Sequence, residues 1–174
     1  ELPWATKKIQ LTSKQPTGKK INQVKQNWYR LNSQSDVFYE KDNLREALPP
    51  ALTALALAEQ YFSEKHPLTL RSYQSVGILY RRSGLYEQAE QYFRKAVTIS
   101  TALLGANHPT TADHIHDLSV IYRFQNKIKQ AEEQCTKAYT LFKNMFGEDD
   151  LHTMKSLRNR ASIYQATHFH HLAE

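Results

Sequence analysis

Residues 70–109 read LRSYQSVGILYRRSGLYEQAEQYFRKAVTISTALLGANHP, and the spacing of apolar positions in this stretch decides the fold. Leu70, Tyr73, Val76, Gly77 and Tyr80 recur at intervals of three and four, which is one face of an α-helix. Ser83-Gly84 makes a turn, and a second helical run follows through Tyr86, Ala89, Phe93, Ala96, Val97 and Leu104. Gly105 closes that run where a helix end takes a left-handed residue. Asn107-His108-Pro109 then breaks the chain, because proline disfavours helix at itself and before itself. Small residues at Gly77, Ala89 and Ala96 let two antiparallel helices approach closely, while Tyr80 and Phe93 fill the space between one pair and the next. A helix pair of this size cannot bury its own apolar face, so it must stack on a neighbour.

The neighbours are visible when the chain is laid against itself at an offset of 42 residues. Ala47, Ala89, Ala131 and Ala173 share a column, as do Ala54, Ala96 and Ala138. Phe38, Tyr80, Tyr122 and Tyr164 form an aromatic column, with Ser35, Gly77, Ser119 and Ala161 just ahead of it, all small. Thr69, Thr111 and Thr153 align, as do Gly105 with Gly147 and His66-Pro67 with His108-Pro109. Tyr73-x2-Val76-Gly77-x2-Tyr80 followed by Ala89-x3-Phe93-x2-Ala96 resembles the tetratricopeptide signature. The 42-residue period, the linker Leu104–Pro109 and the segment Ile121–Glu132 resemble the kinesin-light-chain variety of that repeat. The resemblance covers roughly residues 28–174 and implies an all-α, right-handed superhelix of antiparallel helix pairs. It implies repeats at about 28–69, 70–111 and 112–153 and an incomplete one at 154–174, within a domain of residues 19–174.

Two units depart from the pattern. The first has Pro49-Pro50 in its second helix, predicting that the helix starts or kinks there, and it holds Ala51 where the next unit has Phe93 and Gln34 where it has Val76. That is the degeneracy expected of a capping repeat. The last unit is expected to stop about one turn into its second helix, leaving an end that further chain or a partner covers.

The chain has 174 residues and a net charge of +6. Seven bases within residues 1–30, opposed only by Glu1, account for that whole excess; the remaining 16 bases and 16 acids cancel. Residues 1–18, with Pro3, Pro16 and Gly18 and no periodicity, read as an irregular basic arm. From about Lys19 the positions Ile21, Val24, Trp28 and Leu31 turn helical and lead into the first repeat. Lysines near Trp4 and Trp28 suit a nucleic-acid phosphate backbone, an anionic membrane surface or an acidic partner, against the commoner reading of a solubilising tail with Trp28 covering the first unit. No window is apolar enough to cross a bilayer. An opening at Glu1 without Met fits an excised fragment or a removed leader and leaves the compartment open, cytoplasmic or extracytoplasmic.

Chemistry of its own is not expected. The sequence has no Gly-rich phosphate loop and no protease or hydrolase signature, and its single cysteine, Cys135, falls in the Phe93 packing column. His114 and His116 lie two apart on a helix and point to different faces. His168, His170 and His171 are expected in the turn before the last helix, and His66 and His108 belong to the linkers, so neither a metal nor another cofactor is assigned.

A binding role is expected instead. The first helix of each unit carries a second stripe, and the resemblance implies that such stripes line a concave groove that grips peptides. Candidate groove residues are Arg71, Gln74, Ile78, Arg81 and Arg82 in the second unit, His116, Arg123 and Phe124 in the third, and Lys155, Arg158 and Asn159 in the fourth. Across the whole stripe of these three units, six bases face only Asp113 and Asp117, which predicts an acidic peptide of a partner protein as ligand. The resemblance implies that Asn159 holds a ligand backbone. The alternative function is a scaffold that self-associates through its open C-terminal end.

Overall fold

The structure, a computed structural model, describes the backbone of residues 18–171 and the side chains of residues 18–167. The readings of residues 1–17 as an irregular arm, and of Ala173 and Glu174 as part of a second helix, lie outside the described residues. Seven helices follow one another: α1 (Gly18–Glu40), α2 (Leu44–Tyr61), α3 (Pro67–Arg82), α4 (Tyr86–Leu104), α5 (Pro109–Phe124), α6 (Ile128–Phe146) and α7 (Leu151–His171). Each helix packs on its neighbours in sequence, and α5 also touches α7, so α1/α2, α3/α4 and α5/α6 form stacked pairs.

The turn inside each pair is set by one residue with positive φ: Asp42 at 56°, Gly84 at 72° and Asn126 at 59°. These three share a column at the 42-residue period, and each belongs to the few residue types that enter the left-handed region readily. The fourth member of the column is His168, and there the backbone stays helical through His171. The expected turn before a last helix is therefore absent: His168 and His170 lie inside α7, and His171 is its final residue.

The joints between units repeat as faithfully. The Thr69, Thr111 and Thr153 hydroxyls donate to the carbonyls of Ser63, Gly105 and Gly147 at 3.0, 2.9 and 2.8 Å. The Nδ1 atoms of His66 and His108 accept from the Leu68 and Thr110 amides at 3.1 and 3.2 Å, and the Asp150 carboxylate accepts from the His152 amide at 2.8 Å. These side chains satisfy first-turn N–H groups that a helix cannot pair internally.

Helix α2 corrects one expectation. It starts at Leu44, where the Asn43 side chain accepts from the Glu46 amide, and runs through both prolines instead of starting at them. Each proline deprives the carbonyl four residues earlier of a donor, and those two carbonyls belong to Arg45 and Glu46, both exposed residues of the first turn.

The core runs along the stack. Trp28 is fully buried, with its indole N–H donating to Ser72 Oγ at 2.7 Å, so α1 is pinned to α3. Phe93 is fully buried with Ala89, Leu118, Ile121, Tyr122, Ala131 and Cys135, so it sits between the second and third pairs. A Cβ on Gly77 would lie 2.9 Å from the Phe93 ring. In the other two units the opposed column positions are Ser35 with Ala51 and Ser119 with Cys135. The first helix carries more volume wherever the second carries less, which is how a close-packed interior absorbs sequence drift.

Candidate functional site

The first helices α1, α3, α5 and α7 lie side by side, and the sequence-predicted groove residues are distributed over their shared face. The contacts across that face follow one register. Arg81 on α3 approaches Asp117 on α5, with Nε 3.8 Å from Oδ1. Arg123 on α5 donates through Nε to Asn159 Oδ1 on α7 at 3.1 Å. Both pairs span 36 residues and are related by one repeat. The third member of the series, Tyr39 and Ser75, lines a small cleft of ≈ 120 Å³ with Ser35, Asp36, Ile78 and Leu79.

The two charged versions differ in one consequential way. Asp117 offsets the charge of Arg81, whereas Asn159 orients Arg123 without neutralising it. Asn159 is itself buried and donates to Ser119 Oγ at 2.7 Å, so both ends of its amide are engaged within the chain. Lys155 and Arg158 stand exposed nearby without an ion pair among the described residues. The uncompensated positive charge of the face thus lies at Arg123 and on α7, since α5 also carries Asp113 and Asp117.

Other predicted residues turn toward the first unit. The Arg71 guanidinium stands 5.5 Å over the Trp28 ring. Arg82 pairs with Asp42 at 2.6 Å and stands 4.6 Å over the Tyr39 ring. Gln74 and Ile78 are half-buried, and Ile78 packs against the Phe93 cluster. Phe124 is half exposed, stacked on Tyr86 with ring centroids 4.8 Å apart and with the Arg123 guanidinium 4.3 Å over its ring.

Burial shapes the titration of the middle of the face. It pushes the Asp117 carboxyl up to about 6, with the Arg81 guanidinium pulling the other way and Asp113 adding to the rise. It pushes the His116 imidazole down to about 4, so this ring is neutral at pH 7. Arg81 Nε is buried and makes no hydrogen bond, its nearest acceptor being the Asp117 carboxylate at 3.8 Å. A buried nitrogen held only by so long an ion pair costs free energy relative to a hydrogen-bonded one.

Sequence reasoning missed two features. The 36-residue pairings could have been found by aligning the stripe across adjacent units. The other is a cleft of ≈ 930 Å³ between α2 and α4, lined by residues that include Leu52, Leu55, Ala56, Tyr73 and Tyr92. Its signal was the small residues of α2, where Ala51 and Ala56 stand in the columns that hold Phe93 and Thr98 one unit later. Among the described residues no three His, Cys, Asp or Glu side chains are grouped to hold a metal ion, and no described helix is long and apolar enough to cross a membrane.

Comparison with known proteins bears on the fold. The model of the family described as "Tetratricopeptide repeat" matches residues 31–102 and again residues 76–144. A crystal structure of nearly identical tetratricopeptide-like repeats from a putative kinesin light chain of Podosopora anserina matches with a TM-score of 0.73 at 20% identity, covering 80% of this chain and 68% of that one. A single-substitution variant of the same repeats matches with a TM-score of 0.73 at 19% identity, over 81% and 68% of the two chains. BtubC (BKLC) from P. vanneervenii matches with a TM-score of 0.68 at 18% identity, over 86% and 63%. Identities this low carry the right-handed superhelix of helix pairs and nothing finer. No curated protein sequence matches the chain.

Proposed function

Since the chain belongs to the tetratricopeptide repeat family, whose repeats generally mediate protein–protein interaction, we propose that it is an adaptor holding an acidic peptide of a partner protein against the α3–α5–α7 face. The observation that carries the reading is the asymmetry of the two arginine pairs. Arg123 is oriented by a neutral amide with no carboxylate offsetting its charge, and Arg158, exposed on α7, makes no ion pair among the described residues, whereas Lys155 faces Asp113 and Asp117. An acidic side chain or a chain terminus would find bidentate donors there.

Binding of an acidic peptide, followed by fluorescence anisotropy, tests this. The Arg123→Glu/Arg158→Glu pair is expected to abolish binding while far-UV circular dichroism stays unchanged. Arg123 also holds Asn159, so Lys155→Glu/Arg158→Glu, which touches only exposed side chains, is the second variant and should weaken binding at least tenfold. Unchanged affinity in both variants refutes the groove.

A further inference from the structure

Helix α7 presents an apolar stripe that no described helix covers. Leu151, Met154, Leu157 and Tyr164 are 63%, 54%, 36% and 53% exposed, and Ala161 between them is exposed as well. The spacings of three and four place them along one side of the helix. This side is distinct from the one facing the rest of the stack, where Thr153, Ser156, Asn159 and Ile163 are buried. Met154, Leu157, Ala161 and Tyr164 are also distinct from the groove stripe that holds Lys155 and Ser162, with Leu151 and Arg158 at the boundary between the two.

The repeat columns say what kind of surface this is. One period earlier, α5 carries Ala112, Ile115, Ser119 and Tyr122 in the positions of Met154, Leu157, Ala161 and Tyr164, and all four are buried. Ala112 and Ile115 cluster with Ala138 and Phe142 of α6, and Tyr122 with Ala131 and Cys135. The α7 stripe is thus the seat on which α5 carries α6. Its complement is an amphipathic helix with a small–x3–large–x2–small face, the pattern Ala89-x3-Phe93-x2-Ala96 of α4.

The charges narrow the occupant. Arg160 stands beside the stripe, 5.7 Å over the Tyr164 ring, and Arg158 flanks it further on; neither makes an ion pair among the described residues. Glu132 and Glu133 of α6 line the adjoining cleft with Arg160 but do not pair with it. From Leu151 to His171 there is no Asp or Glu. Packing α7 on the α7 of a second copy would therefore set like charges against each other, whereas an acid-flanked helix would meet opposite ones.

We propose that this stripe of α7 is a second docking site, separate from the groove, for an acid-flanked amphipathic helix of a partner protein. The recognition is that of a helix laid on an apolar helix face, with its Ala and Phe positions over Met154, Leu157, Ala161 and Tyr164.

The test uses a stabilised helical peptide as long as α4, with the Ala-x3-Phe-x2-Ala face and Glu flanks, beside a twin with Lys flanks. Binding to the full chain is measured by calorimetry, with sedimentation velocity across concentration. The Glu-flanked peptide is expected to bind at least tenfold more tightly than its twin and to lose at least tenfold in Met154→Asp/Leu157→Asp, whose changes fall on exposed side chains. Arg160→Glu should shrink the preference for Glu flanks, and Lys155→Glu should leave it intact, which separates this site from the groove. No binding, equal binding of the twins, or binding indifferent to Met154→Asp/Leu157→Asp overturns the proposal. A concentration-dependent dimer that the same double variant dissolves overturns it in favour of a second copy.

Discussion

Replacing Gly77 by alanine sets two effects of opposite sign against each other. In the interior of α3, alanine is favoured over glycine by about 1 kcal/mol of helix propensity. The new methyl, however, would lie 2.9, 3.0 and 3.4 Å from three atoms of the Phe93 ring, closer than carbon atoms rest. That ring is fully buried in a cluster with residues of α4, α5, α6 and α7, which hold it in place. Overpacking of this kind costs about 1–3 kcal/mol, so it outweighs the propensity gain and Gly77→Ala should destabilise by about 1 kcal/mol. In a chain of this size that lowers Tm by about 2–4 °C. Phe93→Leu alone should cost about 1–2 kcal/mol through the space it opens. In the Phe93→Leu background the obstructing ring edge is gone, so Gly77→Ala should become neutral or mildly stabilising. The coupling between the two substitutions should therefore exceed about 1 kcal/mol, well above the scatter of about 0.3–0.5 kcal/mol seen for independent sites. Urea unfolding followed by far-UV circular dichroism across the four proteins measures it. Additive costs would show that Gly77 is not there to admit Phe93.

Two further outcomes follow from the buried polar groups. His114 is fully buried beside Ser100 Oγ at 3.2 Å, and burial pushes its imidazole down to about 4. Because the unfolded ring titrates higher, near 6.5, its contribution to stability is intact above that pH and is lost as the pH falls toward 4. Between about pH 7.5 and about pH 4.5 the wild type should lose about 2 kcal/mol more than His114→Gln in parallel urea titrations; the comparison is needed because Asp117, raised to about 6, acts with the opposite sign. Thr111→Val keeps the shape but leaves the Gly105 carbonyl without its side-chain donor, which should cost about 1–2 kcal/mol. Hydrogen exchange should then accelerate first around residues 105–112, and a uniform acceleration along the chain would contradict a local role.

The fold was legible because its determinants are periodic. Gly77, Phe93, Ala89 and Tyr122 lie where their columns say they should, and Trp28, read as covering the first unit, is buried against it. What escaped was whatever depends on a residue that breaks its column. Pro49-Pro50 read as a helix start or a kink, yet Asn43 caps the helix earlier, and the carbonyls the prolines leave unpaired belong to exposed residues. The fourth unit was expected to turn, but His168 stands where the others have Asp, Gly or Asn, and α7 continues. For the candidate groove, the sequence located a stripe of basic residues but not their commitments. That Arg82 is paired to Asp42 while Arg158 is free depends on neighbours 40 residues away, which no single-helix pattern reveals.

The joints that link successive units also constrain how such a chain can change over generations. Every threonine-to-carbonyl link, every cap and each arginine pairing across the face connects a unit only to itself or to the next. Gain or loss of one whole 42-residue block therefore reproduces the same joints at the new junction. Loss of a single residue inside a linker misaligns the threonine, the cap and the helix face together. Length in this architecture is inherited in whole blocks, and a lineage can extend its stack one block at a time without redesigning a contact.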